Sequence, residues 1–162
     1  MIRALAVAGG VVALFLVGAT QVPSQVRLPV STVVAGAVVS QPFGCTPLEL
    51  EPFDPSCPSH HTHTGIDLAA PQGTEVHAAT SGTALTGFDA AGAGNFVAVT
   101  LDAHVRVIYC HLSAFAVRSR DSVVAGQLIG YVGATGLATG PHVHLQVDVD
   151  DVPVDPALFL AG

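Results

Sequence analysis

The stretch NFVAVTLDAHVRVIYCHL, residues 95–112, decides how the chain is read. Two apolar-rich runs, NFVAVTLD and HVRVIYCHL, meet at the turn residues Asp102-Ala103-His104. Short alternating runs enriched in Val, Ile and aromatic residues suit a pleated, half-buried surface, and a polar break between them predicts a hairpin. In the second run strict alternation puts Tyr109 and His111 on one face and Cys110 and Leu112 on the other. Cys110 is then expected as a small buried hydrophobe, away from His111.

The same pattern recurs outward from this hairpin. TEVHAA (74–79), GTALTGF (82–88), QLIGYVG (127–133) and HVHLQVDV (142–149) read as further strands, and AAGAGN (90–95) as a turn. No stretch beyond the N-terminal segment sustains a helical period; DPALFL (155–160) predicts one short helical turn. The expectation is an all-β fold, a compact antiparallel sheet or barrel-like domain.

Composition narrows the function classes. Five basic residues, all Arg, stand against twelve acidic ones, for a net charge of −7. Phosphate neutralisation needs clustered Lys and Arg, so no nucleic-acid partner is expected. The same balance gives no electrostatic pull toward an anionic membrane or polymer. The N-terminal residues carry one Arg, then an apolar run from Ala4 to about Thr20, then a polar exit containing Pro23. That is the layout of an export signal, with Val17 and Ala19 suiting a small-residue cleavage site. The run is also close to the shortest length that spans a bilayer, so an uncleaved anchor is the alternative.

In an exported chain Cys45 and Cys57, which bracket CTPLELEPFDPSC, are expected to form a disulfide; free thiols or metal ligation by Cys are the alternatives. Histidines supply the candidate chemistry. His142 and His144 lie two apart on an expected strand and share a face. His63 and Asp67 lie four apart around Gly65, on a loop-to-strand segment. Imidazole nitrogen and carboxylate oxygen both suit zinc, and three protein ligands leave a fourth position open, as catalytic sites do. Each group has a plainer reading: a solvated histidine pair on an edge strand, or a hydrogen-bonded core histidine at His111.

Taken together, HTGIDLAAPQGTEVHAATSG (63–82), YCHL (109–112) and VVAGQLIGYVGATGLATGPHVH (123–144) resemble the lysostaphin/LytM-type zinc metalloendopeptidases of bacterial cell walls. The resemblance runs from QPFG (41–44) to HLQV (144–147) and rests on several motifs in order. It implies a small antiparallel β fold of the duplicated hybrid motif type, with a groove across one sheet that holds the metal. It also implies one zinc ion on His63, Asp67 and His144, with His111 and His142 as the catalytic pair. Tyr109, read as sharing the His111 face, is expected either to orient that ring or support the transition state, or to pack in the core.

The implied reaction is hydrolysis of amide bonds in peptidoglycan peptides. The rival readings are a non-catalytic wall-binding or regulatory module of the same fold, and an exported metal-storage or adhesin-like domain. His60 and His61 have no motif role and are expected at the groove's edge; His77 is expected in packing and His104 in solvent. The chain is expected to divide into a signal peptide or N-terminal membrane tether (1–24), a linker (25–36) and a metallopeptidase domain (37–162). It is expected to be exported, extracellular or wall-facing, and monomeric.

Overall fold

The computed structural model describes residues 26–161. The expected leader, 1–24, lies outside these residues. A single 3-10 turn at Val30–Thr32 is followed by β1 (Val38–Gln41), β2 (Gly44–Thr46), β3 (His61–His63) and β4 (Ile66–Ala69). Next come β5 (Glu75–His77), β6 (Gly82–Asp89), β7 (Gly94–Thr100) and β8 (Val105–Leu112). The chain continues through β9 (Ala114–Phe115), β10 (Ser122–Val123), β11 (Leu128–Tyr131), β12 (His142–Val149) and β13 (Val152–Val154). It closes on one short helix, α1 (Pro156–Ala161). No helix among the described residues is long and apolar enough to cross a membrane.

The main sheet is antiparallel and runs β1-β4-β12-β8-β7-β6-β10, with β13 beside the C-terminal half of β12. Its ends, β1 and β10, do not pair with each other, so of the two expected forms, sheet or barrel-like, the all-β domain takes the open antiparallel sheet. Strands β5, β11 and β9 form a separate small sheet. That sheet contributes Val76 and Ile129 to the same core as the main sheet.

Alternation along β12 builds two faces. Val143, Leu145 and Val147 are fully buried in the core, while His142, His144 and Gln146 are half-buried on the opposite face. On β8 and β7 the core positions are Val107, Tyr109, Val97 and Val99. Within the segment expected as a linker, 25–36, the second half packs on the domain. Val33 and Val34 are buried in the core, and the Val33 carbonyl accepts the His77 N–H at 2.8 Å. Two adjacent Val side chains following a tight turn bury too much apolar surface to remain in a solvated tether.

The pairing of β7 with β8 contains the feature that strict alternation misses. Asn95 faces Leu112 and Val97 faces Tyr109, so Cys110 and His111 together oppose the single residue Phe96. This is a β-bulge, with His111 in the left-handed region at φ 63°. The extra residue returns Leu112 to the core beside Tyr109 and turns Cys110 and His111 together toward the groove.

Candidate metal centre and groove

The site is assembled from three strand segments. Asp67 on β4 faces His144 on β12 directly across the ladder. His63 ends β3, whose hairpin with β2 is closed at its outer end by the Cys45–Cys57 disulfide. Gly65 lets this hairpin approach: a Cβ there would stand 2.4 Å from the Leu145 carbonyl oxygen and 2.7 Å from His144 Nε2. Only glycine permits so close a backbone approach without displacing β12.

Three donor atoms converge. His63 Nε2 lies 3.1 Å from Asp67 Oδ1 and 2.9 Å from His144 Nδ1, and His144 Nδ1 lies 3.1 Å from the same Asp67 oxygen. The outward nitrogens are already engaged. His63 Nδ1–H donates to the Pro42 carbonyl at 2.9 Å, and His144 Nε2–H donates to Gln146 Oε1 at 3.3 Å. With those protons placed outward, two imidazole lone pairs and a carboxylate oxygen face one another. Such a set repels itself unless a proton or a cation sits among them. Burial disfavours a charged His63, but the hydrogen bond to Asp67, the Pro42 carbonyl and the nearby carboxylates outweigh it and raise its pKa. Burial likewise opposes the charge on Asp67, yet hydrogen bonds from His144 and His63 hold its carboxyl well below the usual range. These three residues form a group able to hold a metal ion, and one carboxylate with two neutral imidazoles is a donor set that zinc accepts.

Two further rings flank the centre. His142 Nε2 is 3.7 Å from Asp67 Oδ1, and the His111 and His142 ring centroids are 4.7 Å apart. Each is oriented by a backbone carbonyl: His142 Nδ1–H donates to Gly140 at 2.8 Å and His111 Nδ1–H to Thr135 at 2.9 Å. Burial lowers the His111 pKa; the Thr135 hydrogen bond opposes this, and the neighbouring His142 and His144 add to the lowering. His111 therefore presents a neutral ring with Nε2 free to accept a proton.

The structure thus brings Asp67, His144, His142 and His111 onto one groove of about 420 Å³, with the fully buried His63 in contact with Asp67 and His144. It does not bring Tyr109 there. Tyr109 is 0% exposed, its hydroxyl accepts the Ala79 N–H at 2.7 Å, and burial pushes its phenol pKa up. The expected shared face with His111 is corrected by the bulge. Cys110 is corrected in the other direction: it lines the groove beside His111, though it is still buried. Burial, with the Asp67, Asp148 and Asp89 carboxylates adding to it, pushes its thiol up to about 12. His60 is exposed and stacks near Phe53, while His61 donates to the Glu51 carbonyl at 2.8 Å. His77 is half-buried beside Glu75, and His104 is exposed beside Asp150.

A polar relay extends from the centre along β12. Gln146 Oε1 also accepts from Thr64 at 2.8 Å, and Gln146 Nε2 donates to Asp148 Oδ1 at 2.7 Å. Asp148, only 3% exposed, accepts from Arg106 Nε at 3.0 Å. Sequence reasoning did not single out Gln146, Asp148 or Arg106, although the period-two alternation that pairs His142 with His144 also puts residues 146 and 148 on that face.

A model of the family described as Peptidase family M23 matches residues 61–156. The DD-carboxypeptidase/endopeptidase Mpg of Neisseria meningitidis serogroup B is 39% identical over 118 residues, covering 73% of this chain and 26% of that protein. The peptidoglycan DD-endopeptidase ShyB of Vibrio cholerae is 36% identical over 93 residues, covering 57% of this chain and 22% of that protein. This chain therefore spans about a quarter of the length of those relatives. Among solved structures, the catalytic domain of the antimicrobial peptidase lysostaphin from Staphylococcus simulans superposes with a TM-score of 0.64 at 32% identity, covering 78% of this chain and 93% of that one.

Proposed function

The chain belongs to peptidase family M23, and from that membership and the geometry of its groove we propose that it is a zinc-dependent endopeptidase cutting amide bonds in peptidoglycan peptides. The observation that carries the reading is the meeting of His63 Nε2, Asp67 Oδ1 and His144 Nδ1 within 3.1 Å, each histidine already committed on its other nitrogen. His63, Asp67 and His144 would hold a zinc ion, which when bound would supply Lewis acidity to a carbonyl and to water.

The remaining chemistry falls to the chain's own groups. Hydrolysis adds water to the scissile carbonyl carbon and breaks the C–N bond. One proton must leave the attacking water and one must reach the departing amine. His111 and His142 divide this work: one ring accepts and passes on the proton, and the other hydrogen-bonds the oxygen on which charge develops. Their carbonyl-anchored Nδ1–H groups hold both rings with Nε2 toward the groove. The groove walls carry Leu48, Leu50 and Leu137 and, among the described residues, no Arg, which suits an uncharged peptide backbone with small apolar side chains.

Such a substrate lies outside the cytoplasmic membrane, and the apolar segment from Ala4 to about Thr20 provides for export, cleaved or retained as a tether. The test is a zymogram on purified peptidoglycan with the full chain, with and without a chelator. A clearing zone abolished by chelation and restored by zinc supports the enzyme. A folded, zinc-loaded chain that binds the wall and clears nothing points to the non-catalytic module.

A further inference from the structure

The loop between the two disulfide cysteines carries three acids: Asp54 accepts from Ser56 within the loop, and Glu49 and Glu51 have opposite fates. Glu49 is exposed. Glu51 turns inward: its side chain is 17% exposed, and its Oε1 stands 4.0 Å from His63 Nε2, the nitrogen that faces the cradle. It is held there from several sides. Gln41 Nε2 donates to the carboxylate at 3.2 Å, His61 Nδ1 donates to the Glu51 carbonyl at 2.8 Å, and the Glu51 N–H donates to the Leu48 carbonyl at 3.0 Å. The next residue, Pro52, accepts the Thr62 N–H at 3.0 Å, and the Cys45–Cys57 bond closes the whole loop. Among the described residues no Arg lines the groove that could offset a second carboxylate beside Asp67. Drawing a carboxylate out of water toward another carboxylate is unfavourable unless a cation balances the pair. With Asp67 alone, a divalent ion leaves the site at +1; with Glu51 added, the charges cancel.

We propose that Glu51 is an outer-sphere carboxylate of the metal centre, delivered by the disulfide-closed loop beside His63, that offsets the charge of a divalent cation and tightens the hold on it while leaving the fourth position open to water. The proposal rests on the metal-site reading above. It links the redox state of Cys45 and Cys57 to metal retention, because the closed loop keeps the carboxylate turned inward.

The experiment measures zinc affinity of the full chain by competition with a chromophoric chelator, for the wild type, Glu51→Gln, Glu49→Gln, Asp67→Asn and the double variant Cys45→Ser/Cys57→Ser. Glu51→Gln preserves the size of the side chain and the Gln41 hydrogen bond. It is expected to weaken zinc binding about tenfold, at the lower end of outer-shell effects on metal sites. Glu49→Gln should leave affinity unchanged, and the serine double variant should lose about as much as Glu51→Gln. Adding Glu51→Gln to the serine variant should then cost little more. Unchanged affinity in Glu51→Gln, or an equal loss in Glu49→Gln, overturns the role of Glu51. If Asp67→Asn also leaves zinc affinity intact, it is the cradle itself that has been misassigned.

Discussion

His144 Nε2 lies 3.3 Å from Gln146 Oε1, two residues along the same strand, and this contact turns the Nδ1 lone pair of His144 toward Asp67. Gln146 in turn satisfies Thr64 and the buried Asp148. Gln146→Leu removes the acceptor that sets the tautomer. Zinc affinity is expected to fall about 10- to 100-fold while the strands remain paired. Chelator competition together with circular dichroism reads both effects.

The five clustered side chains should separate into two classes. Alanine at His63, Asp67 or His144 is expected to abolish metal binding and hydrolysis together. Alanine at His111 or His142 is expected to leave zinc stoichiometry at one while lowering turnover by about 10²- to 10⁴-fold, the usual worth of a positioned acid or base. Metal content measured alongside peptidoglycan hydrolysis distinguishes the classes.

Cys110 borders the groove yet should be chemically quiet. With its thiol pushed up to about 12, chiefly by burial, little thiolate exists at pH 8. Thiol-specific alkylation at that pH is expected to leave the folded chain unmodified and to label one cysteine only after unfolding without reductant. Rapid labelling of the native chain would show that the bulge exposes the sulfur.

The Cys45–Cys57 bond closes a loop with a sequence separation of 12. In the chain-entropy description such a loop stabilises the fold by ~3 kcal/mol. The Cys45→Ser/Cys57→Ser chain is expected to unfold at correspondingly lower denaturant concentration, as measured by equilibrium unfolding of the metal-free protein.

The longer strands were legible because their alternation is strong: β6, β7, β8 and β12 each run seven or eight residues. Strands such as β3 (His-Thr-His) and β9 (Ala-Phe) are too short for a period to show, and neighbours define them. The His142/His144 pair was legible as a shared face, since an H-x-H pair on a strand must point one way; joining it with His63, Asp67 and His111 into one site came from the resemblance to the zinc metalloendopeptidases. The bulge was not legible. No glycine or proline marks it, and His111 takes a left-handed conformation that is uncommon for any residue but glycine, even though histidine, like asparagine and aspartate, is enriched there. That one extra residue reversed the expected places of Tyr109 and Cys110. Glu51 was hidden for a different reason: its approach to His63 depends on how a disulfide loop folds back, which local pattern does not encode.

The most direct test is digestion of purified peptidoglycan by the full chain carrying one equivalent of zinc, with the released ends identified by mass spectrometry. New peptide amine and carboxyl ends are expected from the wild type, none after chelation, and none from His144→Ala, which should also arrive without metal. Cleavage that persists in chelator, or a His144→Ala chain that keeps its zinc and still cuts, would contradict a hydrolase built on His63, Asp67 and His144.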